Sequence, residues 1–252
     1  MSVWYCIPSA RPASEAEPIL AKWRRQGYQL ALVVDTAGDA QTKYDMAGYI
    51  ISPPEGEPYR GYACSVNALT EMVFTTREDC DWIVTGGDDT EPDLNHTADE
   101  IAAQCSEHFA GTFGIMQPTG DRFDGGCIDR ICGSPWMGRE FCRRINQGKG
   151  PLWPEYRHMF VDEELQHVAI KYGVLWQRPD LIHLHHHFAR ASTALNSGAV
   201  AVSEGGRELY GGKKQPRPAF LDEANSGAHW AKYKGIFLER KRAGFPGSEP
   251  LV

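Results

Sequence analysis

Two wholly hydrophobic runs separated by a helix-length segment constrain the fold more than any other feature of the sequence. The runs are residues 3–7 (VWYCI) and 30–34 (LALVV). Between them, apolar side chains recur at helical spacing over residues 15–26, and Gly27 ends that pattern. Strands that are hydrophobic on both faces and alternate with helices are typical of a parallel sheet covered by helices. The sequence therefore predicts an α/β fold.

The same alternation continues to about residue 110. Residues 81–85 (DWIVT) predict a third strand, between helices predicted over 65–75 and 98–109. The order β-α-β-α-β-α indicates a doubly wound, Rossmann-like sheet. The rest of the chain is less regular, and its predicted elements are helices over 138–147, 162–172 and 228–242 and strands over 174–176 and 181–188.

Composition excludes several classes of protein. The 252 residues are 42% hydrophobic and 23% charged, as in ordinary globular chains. No apolar run approaches the ~20 residues of a membrane-spanning helix, and the N-terminus lacks the pattern of a secretory signal. Seven cysteines without tight spacing favour free thiols, a cytoplasmic location and no membrane association. The net charge of −7 argues against a protein that coats nucleic acid, but not against a local basic patch.

An acidic turn, residues 86–93 (GGDDTEPD), follows the third predicted strand. Open α/β sheets bind ligands at the carboxyl ends of their strands. Asp88 and Asp89 repel each other unless a cation neutralises them, and hard carboxylate oxygens suit Mg²⁺ or Mn²⁺. The alternative is an acidic turn that caps the next helix.

Four histidines lie within residues 183–187 (HLHHH). Strand alternation would direct His183, His185 and His187 to one face, where they could bind a metal ion, and His186 to the other. The alternative is a solvated edge strand. A further acidic group, Asp162 and Glu163, opens a predicted helix, where carboxylates either favour the helix dipole or accept a proton from an attacking hydroxyl.

Several segments, taken in this order, resemble the GT-A class of nucleotide-sugar glycosyltransferases, particularly the family 2-like branch with small phage and bacterial members. The segments are the strand that ends in Asp35, 61–69 (GYACSVNAL), 81–89 (DWIVTGGDD), 133–140 (GSPWMGRE) and 161–165 (VDEEL). The resemblance covers residues 4–187. It implies a GT-A fold, that is, a Rossmann-like, mostly parallel mixed sheet with helices on both faces, followed by an irregular C-terminal extension.

The resemblance also implies a donor site that uses Mn²⁺ or Mg²⁺. Asp89 would bind the metal with His185 or His187, and Asp88 would bind the ribose or a bridging water, although the two acids could exchange roles. The usual motif is Asp-x-Asp, from which this chain departs. The further donor-binding residues that the resemblance implies are Pro8, Ser9, Arg11, Asp35 and Asn67.

Sugar transfer with inversion is the implied reaction, with Asp162 as the base that deprotonates the acceptor hydroxyl. Glu163 takes this role if the alignment shifts by one residue. Residues 1–110 would form the nucleotide-sugar half and 111–195 the acceptor half of one domain, with 196–252 as a flexible loop and helical extension. A nucleotidyltransferase is one alternative, although the loop after the first strand contains no glycine. A non-catalytic metal-binding module is another.

Positive charge is concentrated near the C-terminus. Nine basic and four acidic side chains lie between Arg207 and Arg242. This asymmetry favours a polyanionic partner, and some of the phage-type enzymes that the chain resembles glycosylate hydroxylated bases in DNA. A hydroxylated DNA base is therefore the expected acceptor. The alternative is that these lysines and arginines cover the donor pyrophosphate or keep the segment soluble.

Overall fold

The computed structural model describes residues 2–34, 47–52, 61–121, 132–186 and 226–252, together with the backbone of 203–204 and 207–208. Two candidate site residues, Asp35 and His187, lie outside the described residues. Most of the loop predicted to begin at residue 196 does so as well.

The chain forms eleven described strands and six described α-helices. The strands are β1 (Ser2–Ser9), β2 (Gln29–Val34), β3 (Tyr49–Ile51), β4 (Cys80–Val84), β5 (Thr90–Glu91), β6 (Ile115–Pro118), β7 (Trp136–Gly138), β8 (Leu175–Arg178), β9 (Leu184–His185), β10 (Ser203–Glu204) and β11 (Arg207–Glu208). The helices are α1 (Ala13–Arg25), α2 (Tyr62–Thr76), α3 (Ala98–His108), α4 (Arg139–Arg144), α5 (Val161–Lys171) and α6 (Gly227–Arg242), and a 3₁₀ turn, Ile145–Gly148, follows α4.

Seven strands form one mixed sheet in the order β3-β2-β1-β4-β7-β6-β8. All of them are parallel except β7, which is antiparallel to both of its neighbours. The predicted fold class, a Rossmann-like, mostly parallel mixed sheet with helices on both faces, is confirmed. The sequence analysis did not predict β7, because three residues are too few for a periodic pattern to emerge.

Side chains of β1 alternate between two hydrophobic cores, one on each face of the sheet. Trp4 and Cys6 belong to the core that α2, α4, α5 and α6 cover. Val3, Tyr5 and Ile7 belong to the core that α1 and α3 cover. This double burial explains why the strand is hydrophobic at every position.

The strand order reverses at β1. The chain leaves β1 through α1 to reach β2 on one side, and it returns through α2 to β4 on the other side. The connections that leave the carboxyl ends of β1 and β4 therefore run in opposite directions along the sheet, to β2 and to β6, and leave a crevice between them. Such a switch point is where open α/β sheets bind ligands.

The C-terminal helix α6 packs into the body of the protein through a buried ion pair. Arg240 donates to both carboxylate oxygens of Glu164 in α5, at 2.7 to 3.1 Å, and the Tyr156 hydroxyl donates to the same carboxylate at 2.7 Å. Tyr233 and Phe237 are buried beside it. Within the described ranges, no helix is long and apolar enough to cross a membrane.

Candidate functional site at the switch point

The acidic turn begins where β4 ends, beside the carboxyl end of β1. Ser9, the last residue of β1, is 1% exposed, and Asp88 is 6% exposed. The Ser9 hydroxyl donates to Asp88 Oδ2 at 2.9 Å. The crevice between the two strands is therefore closed at its base by a buried carboxylate.

Arg11 is the cation of this turn. Its Nη2 lies 2.7 Å from Asp89 Oδ2, and its Nε lies 3.1 Å from Asp88 Oδ1. The backbone N–H of Arg11 also donates to Asp88 Oδ2 at 3.0 Å. The Arg11 side chain is only 12% exposed, so these charge-assisted contacts are partly shielded from water, which strengthens them.

The two neighbouring carboxylates have pKa values shifted in opposite directions. Burial raises the pKa of Asp88, and the charge of Asp89 adds to that effect. Burial would also raise the pKa of Asp89, but His185 and Arg11 outweigh it and hold that pKa well below its ordinary value. Negative charge is therefore held most firmly on Asp89. Neighbouring acids with separated pKa values are typical of functional sites.

The short antiparallel ladder between β5 and β9 brings two histidines to the turn. His185 Nε2 lies 3.3 Å from Asp89 Oδ1, and His186 Nε2 lies 2.8 Å from Glu91 Oε1. Lys22 Nζ lies 2.5 Å from the same Glu91 oxygen. Burial opposes ionisation of Glu91, but the contacts with His186 and Lys22 prevail and lower its pKa to about 2.

The predicted histidine face is wrong in part. The strand predicted over 181–188 is described only at Leu184–His185, so strand alternation does not reach residue 183. His183 is buried, with Nδ1 2.9 Å from Ser134 Oγ and its ring edge-on to Trp23. His186, which alternation assigns to the opposite face, contacts the acidic turn through Glu91.

Two aromatic side chains support the turn from the core. Tyr5 and Trp23 stack with ring centroids 3.7 Å apart. The Tyr5 hydroxyl donates to the Gly87 carbonyl at 2.7 Å, and Trp23 Nε1 donates to the Thr90 carbonyl at 2.6 Å. A Cβ on Gly86 would lie 2.7 Å from Tyr5 Oη, so the turn approaches the core too closely for a larger residue.

The second acidic pair, Asp162 and Glu163, lies in the first turn of α5. Burial raises the pKa of Tyr62, and the charge of Asp162 raises it further. The Tyr62 hydroxyl is 2.9 Å from Thr85 Oγ1, directly after β4. The charge of Asp162 therefore acts on a side chain that contacts the end of β4. Phe160, the residue before α5, caps the helix with a left-handed φ of 69°.

The described hydrogen bonds of the Asn67 side chain involve a loop and not the acidic turn. Its amide Nδ2 donates to the Leu152 carbonyl at 2.7 Å, and its Oδ1 accepts from the Leu152 N–H at 3.0 Å. The side chain thus fixes the loop before α5, and we do not include it in the proposed donor site. Pro8 lies in β1, one residue before Ser9.

The described residues do not fit a resident divalent ion. No three His, Cys, Asp or Glu side chains in the part of the chain that the structure describes are arranged to hold one. Asp89 Oδ1 and His185 Nε2 form one pair of suitable donors. The remaining oxygens of Asp88 and Asp89 are bound by Arg11 and Ser9, so the guanidinium supplies the charge that a metal would supply.

Sequence reasoning missed the residues that connect the two acidic groups. Tyr62 and Thr85 form this connection, and the Thr85 hydroxyl also donates to the Cys6 carbonyl at 2.8 Å. The Ser134 hydroxyl extends it by donating to the Thr85 carbonyl at 2.9 Å. Of these residues, Thr85 could be associated with the site from the sequence, because it is the last residue of the predicted third strand.

Comparison with known proteins gives similarity of fold at low identity. No family model matches the chain, and no curated protein matches it. The chain is similar to a protein assigned as a glucose-1-phosphate thymidylyltransferase of Bacillus anthracis, in complex with sucrose, at 10% identity and TM-score 0.44, with 81% of this chain and 98% of that chain covered.

Two further solved structures are similar to a comparable degree. One is a mutant of Drosophila β1,4-galactosyltransferase 7 with manganese, UDP-Gal and xylobiose, at 12% identity and TM-score 0.42, covering 74% of this chain and 71% of that one. The other is CMP:2-keto-3-deoxy-manno-octonic acid synthetase with CTP, at 10% identity and TM-score 0.41, covering 79% and 99%. These similarities concern the fold, and they give no support to the expected phage subtype.

Proposed function

We propose that the protein is a glycosyltransferase that moves a sugar from a nucleoside-diphosphate sugar to an acceptor hydroxyl. The observation that carries the proposal is the cluster of Arg11, Asp88 and Asp89 at the switch point between β1 and β4, in which the side chains are 12%, 8% and 16% exposed. A largely desolvated arginine between two acids, at the edge of the sheet where ligands bind, is a costly arrangement for a purely structural turn.

Each group has a role in the proposed reaction. The guanidinium of Arg11 is a planar donor that matches phosphate oxygens, and it would stabilise the charge that develops on the leaving diphosphate. Asp88 would accept from a ribose hydroxyl. Asp162 would take the proton of the acceptor hydroxyl, with inversion at the sugar carbon, and Glu163 is its rival for that role.

The expected Mn²⁺ or Mg²⁺ has the least support within this proposal. Arg11 already neutralises the carboxylates that the ion would use. His187, the other proposed ligand, lies outside the described residues. Metal dependence is therefore measured separately from donor binding in the experiment below.

The proposed acceptor is a hydroxylated base in DNA. The exposed basic residues of the last helix support it, and they are Lys232, Lys234, Lys241 and Arg242. Arg240 does not contribute to such a surface, because Glu164 holds it in the core. Lys213, Lys214 and Arg217 lie outside the described residues.

Nucleotidyl transfer is the second candidate, and one observation favours it. Arg11 is a basic residue in the loop directly after β1, the position from which a nucleotidyltransferase would contact a triphosphate. The two reactions leave different products. Transfer of a sugar releases a nucleoside diphosphate, whereas nucleotidyl transfer to a sugar phosphate releases pyrophosphate.

Thermal unfolding with UDP, GDP or CDP, each with and without Mn²⁺, tests donor binding. A ligand present at 100 times its Kd stabilises the fold by about 2.7 kcal/mol, which is several degrees in Tm. We expect one diphosphate to raise Tm in the wild type and not in Asp88→Asn. Asp99→Asn, an exposed carboxylate in the first turn of α3, is the matched control.

Product analysis then separates the two reactions. We expect nucleoside diphosphate from the matching nucleotide sugar and no pyrophosphate from nucleoside triphosphate with sugar 1-phosphate. The reverse result identifies a nucleotidyltransferase. A chain whose Tm responds to Mn²⁺ alone and to no nucleotide would be the non-catalytic metal-binding module.

A further inference from the structure

All four oxygens of the Asp88 and Asp89 carboxylates have close partners. Asp88 Oδ1 lies 3.1 Å from Arg11 Nε, an ion-pair contact without hydrogen-bond geometry, and Asp88 Oδ2 accepts from the Ser9 hydroxyl and the Arg11 backbone. Asp89 Oδ2 faces Arg11 Nη2, and Asp89 Oδ1 faces His185 Nε2. A divalent ion that binds through this pair must displace at least one of these partners.

The guanidinium is well placed to resist that displacement. Two neighbouring carboxylates repel each other when both are ionised, so the pair requires a cation. Arg11 spans both acids from one planar group, and its own backbone N–H binds one of them. Glu15, the next carboxylate along α1, lies 3.7 Å from Nη1 and is 60% exposed, so it competes only weakly for the guanidinium.

We infer that Arg11 is the resident cation of the Asp88–Asp89 pair and keeps divalent ions off it while no ligand is bound. The predicted metal position is thus filled by a side chain of the protein itself. Substitution of Arg11 would open the pair to a divalent ion, because the two carboxylates would then lack the cation that holds them. This inference does not depend on the proposed sugar transfer.

Mn²⁺ alone is the probe, and its binding is measured by electron paramagnetic resonance and by titration calorimetry on the full chain. We expect the wild type to have no Mn²⁺ site that depends on Asp89, so Asp89→Asn should leave its Mn²⁺ binding unchanged. Arg11→Gln should bind one Mn²⁺ that the wild type does not bind at this pair, with a Kd at least about tenfold below that of any Mn²⁺ binding by the wild type, since the competing cation is lost. Arg11→Gln with Asp89→Asn should lose that site.

Two further variants control for charge and for folding. Arg24→Gln removes a cation from the exposed end of α1 and should leave Mn²⁺ binding unchanged. Arg11→Lys keeps the charge but cannot span both acids, so it should fold and show an intermediate gain. Mn²⁺ should raise the Tm of Arg11→Gln and Arg11→Lys and not that of the wild type.

Either of two results overturns the inference. The first is a wild-type chain that binds one Mn²⁺ at a site removed by Asp89→Asn, because Arg11 would then not exclude the ion. The second is Mn²⁺ binding by Arg11→Lys and Arg11→Gln that is no tighter than in the wild type, because the carboxylates would then not be a cation site. Neither result bears on whether the protein binds nucleoside diphosphates.

Discussion

Among individual residues, the difference in pKa between Asp88 and Asp89 matters most for the chemistry. The two acids are adjacent in sequence, yet burial raises the pKa of Asp88 while His185 and Arg11 lower that of Asp89. Two adjacent acids can therefore act differently, one as a fixed anion and one as a group that binds a polar ligand. The sequence could not decide which of the two acids would bind the metal and which the ribose, because both follow the same strand. Only their contacts with Arg11 and His185 distinguish them.

Asp162→Asn tests the proposed base. We expect donor binding within about twofold of the wild type and a loss of transfer of about 10²- to 10⁴-fold, the contribution of a positioned general base. Donor binding is measured by the nucleotide-induced Tm shift and transfer by diphosphate release. Glu163→Gln is the matched control, because it changes the neighbouring carboxylate in the same turn. If Glu163→Gln is the inactive variant instead, the base is Glu163.

How far the site could be predicted depends on the kind of residue. Ser9, Arg11, Asp88 and Asp89 could be grouped from the sequence because they follow predicted parallel strands, whose carboxyl ends meet at one edge. The partners of the histidines could not, because β9 is two residues long and the chain before it is not a strand. The role of Asn67 in fixing a loop 85 residues away is a tertiary contact that no local pattern encodes.

Among structural elements, the link between the acidic turn and the segment before β9 depends on one buried carboxylate. Asp93 Oδ1 accepts from the backbone N–H groups of Asn95 and His96, and its Oδ2 accepts from the Ile182 N–H at 3.0 Å. Burial opposes ionisation of Asp93, but the hydrogen bonds from the Ile182 N–H, the His96 ring (Nδ1 3.0 Å from Oδ1) and the Asn95 N–H outweigh it and lower its pKa below the ordinary 3.8. The ionised form therefore stabilises the fold.

Asp93→Asn tests this link through pH. A carboxyl group with a lowered pKa in the folded state contributes stability above its ordinary pKa and loses it as pH falls through that value and below. We expect Asp93→Asn to be less stable than the wild type at pH 7 and the difference to shrink below about pH 4. Urea unfolding from pH 7 to pH 3 measures it. A difference that is constant with pH would indicate that the charge of Asp93 contributes nothing.

The buried ion pair between Glu164 in α5 and Arg240 in α6 is expected to contribute to the stability of the fold. Glu164→Gln or Arg240→Met should each destabilise the fold by about 3 to 5 kcal/mol, because one charge would remain buried without its partner. The double variant should lose less than the sum of the two. Arg242→Ala, exposed on the same helix, should change stability by about 0.5 kcal/mol or less.

Urea unfolding of the wild type and the four variants decides whether the ion pair matters. Equal costs for Arg240→Met and Arg242→Ala would mean that the pair adds nothing measurable. Additive losses in the double variant would mean that the two residues stabilise the fold independently.

Elements with a long, consistent pattern were predicted well from the sequence, and short ones were not. The buried strands β1, β2 and β4 and the helices α1, α3, α5 and α6 lie within a few residues of their predicted bounds, because hydrophobic periodicity over many residues reports burial. The strands β3, β6 and β7 have three or four residues. Their formation depends on neighbouring strands rather than on their own sequence.

For the whole molecule, the uneven distribution of charge favours binding to a polyanion such as DNA. If the exposed basic residues of α6 contact DNA phosphates, replacing Lys232, Lys234 and Arg242 with Gln should weaken binding to duplex DNA and reduce its salt dependence by about one unit of slope per lost contact. Fluorescence anisotropy against salt concentration measures both. Truncation before α6 would be uninformative, because it would remove Tyr233 and Phe237 and expose the core that they cover.

A matched set of substitutions on another surface controls for net charge. Arg24→Gln and Arg25→Gln change two exposed cations at the end of α1 and should affect DNA binding less than the α6 variant. Equal effects would attribute the binding to overall charge, and an absence of salt-dependent binding in the wild type would remove DNA as the acceptor.

The position of Arg240 in the last helix has a consequence for how the chain is made. The ribosome completes residues 1–226 before α6, so Glu164 is synthesised before the arginine that neutralises it. Until α6 and Phe245 are synthesised, the α5 side of the core carries a carboxylate with no cation and lacks Tyr233, Phe237 and Phe245. The face covered by α1 and α3 needs none of these residues. Co-translational folding is therefore expected to proceed on that face first, with the face covered by α5 completed only after α6 has been synthesised.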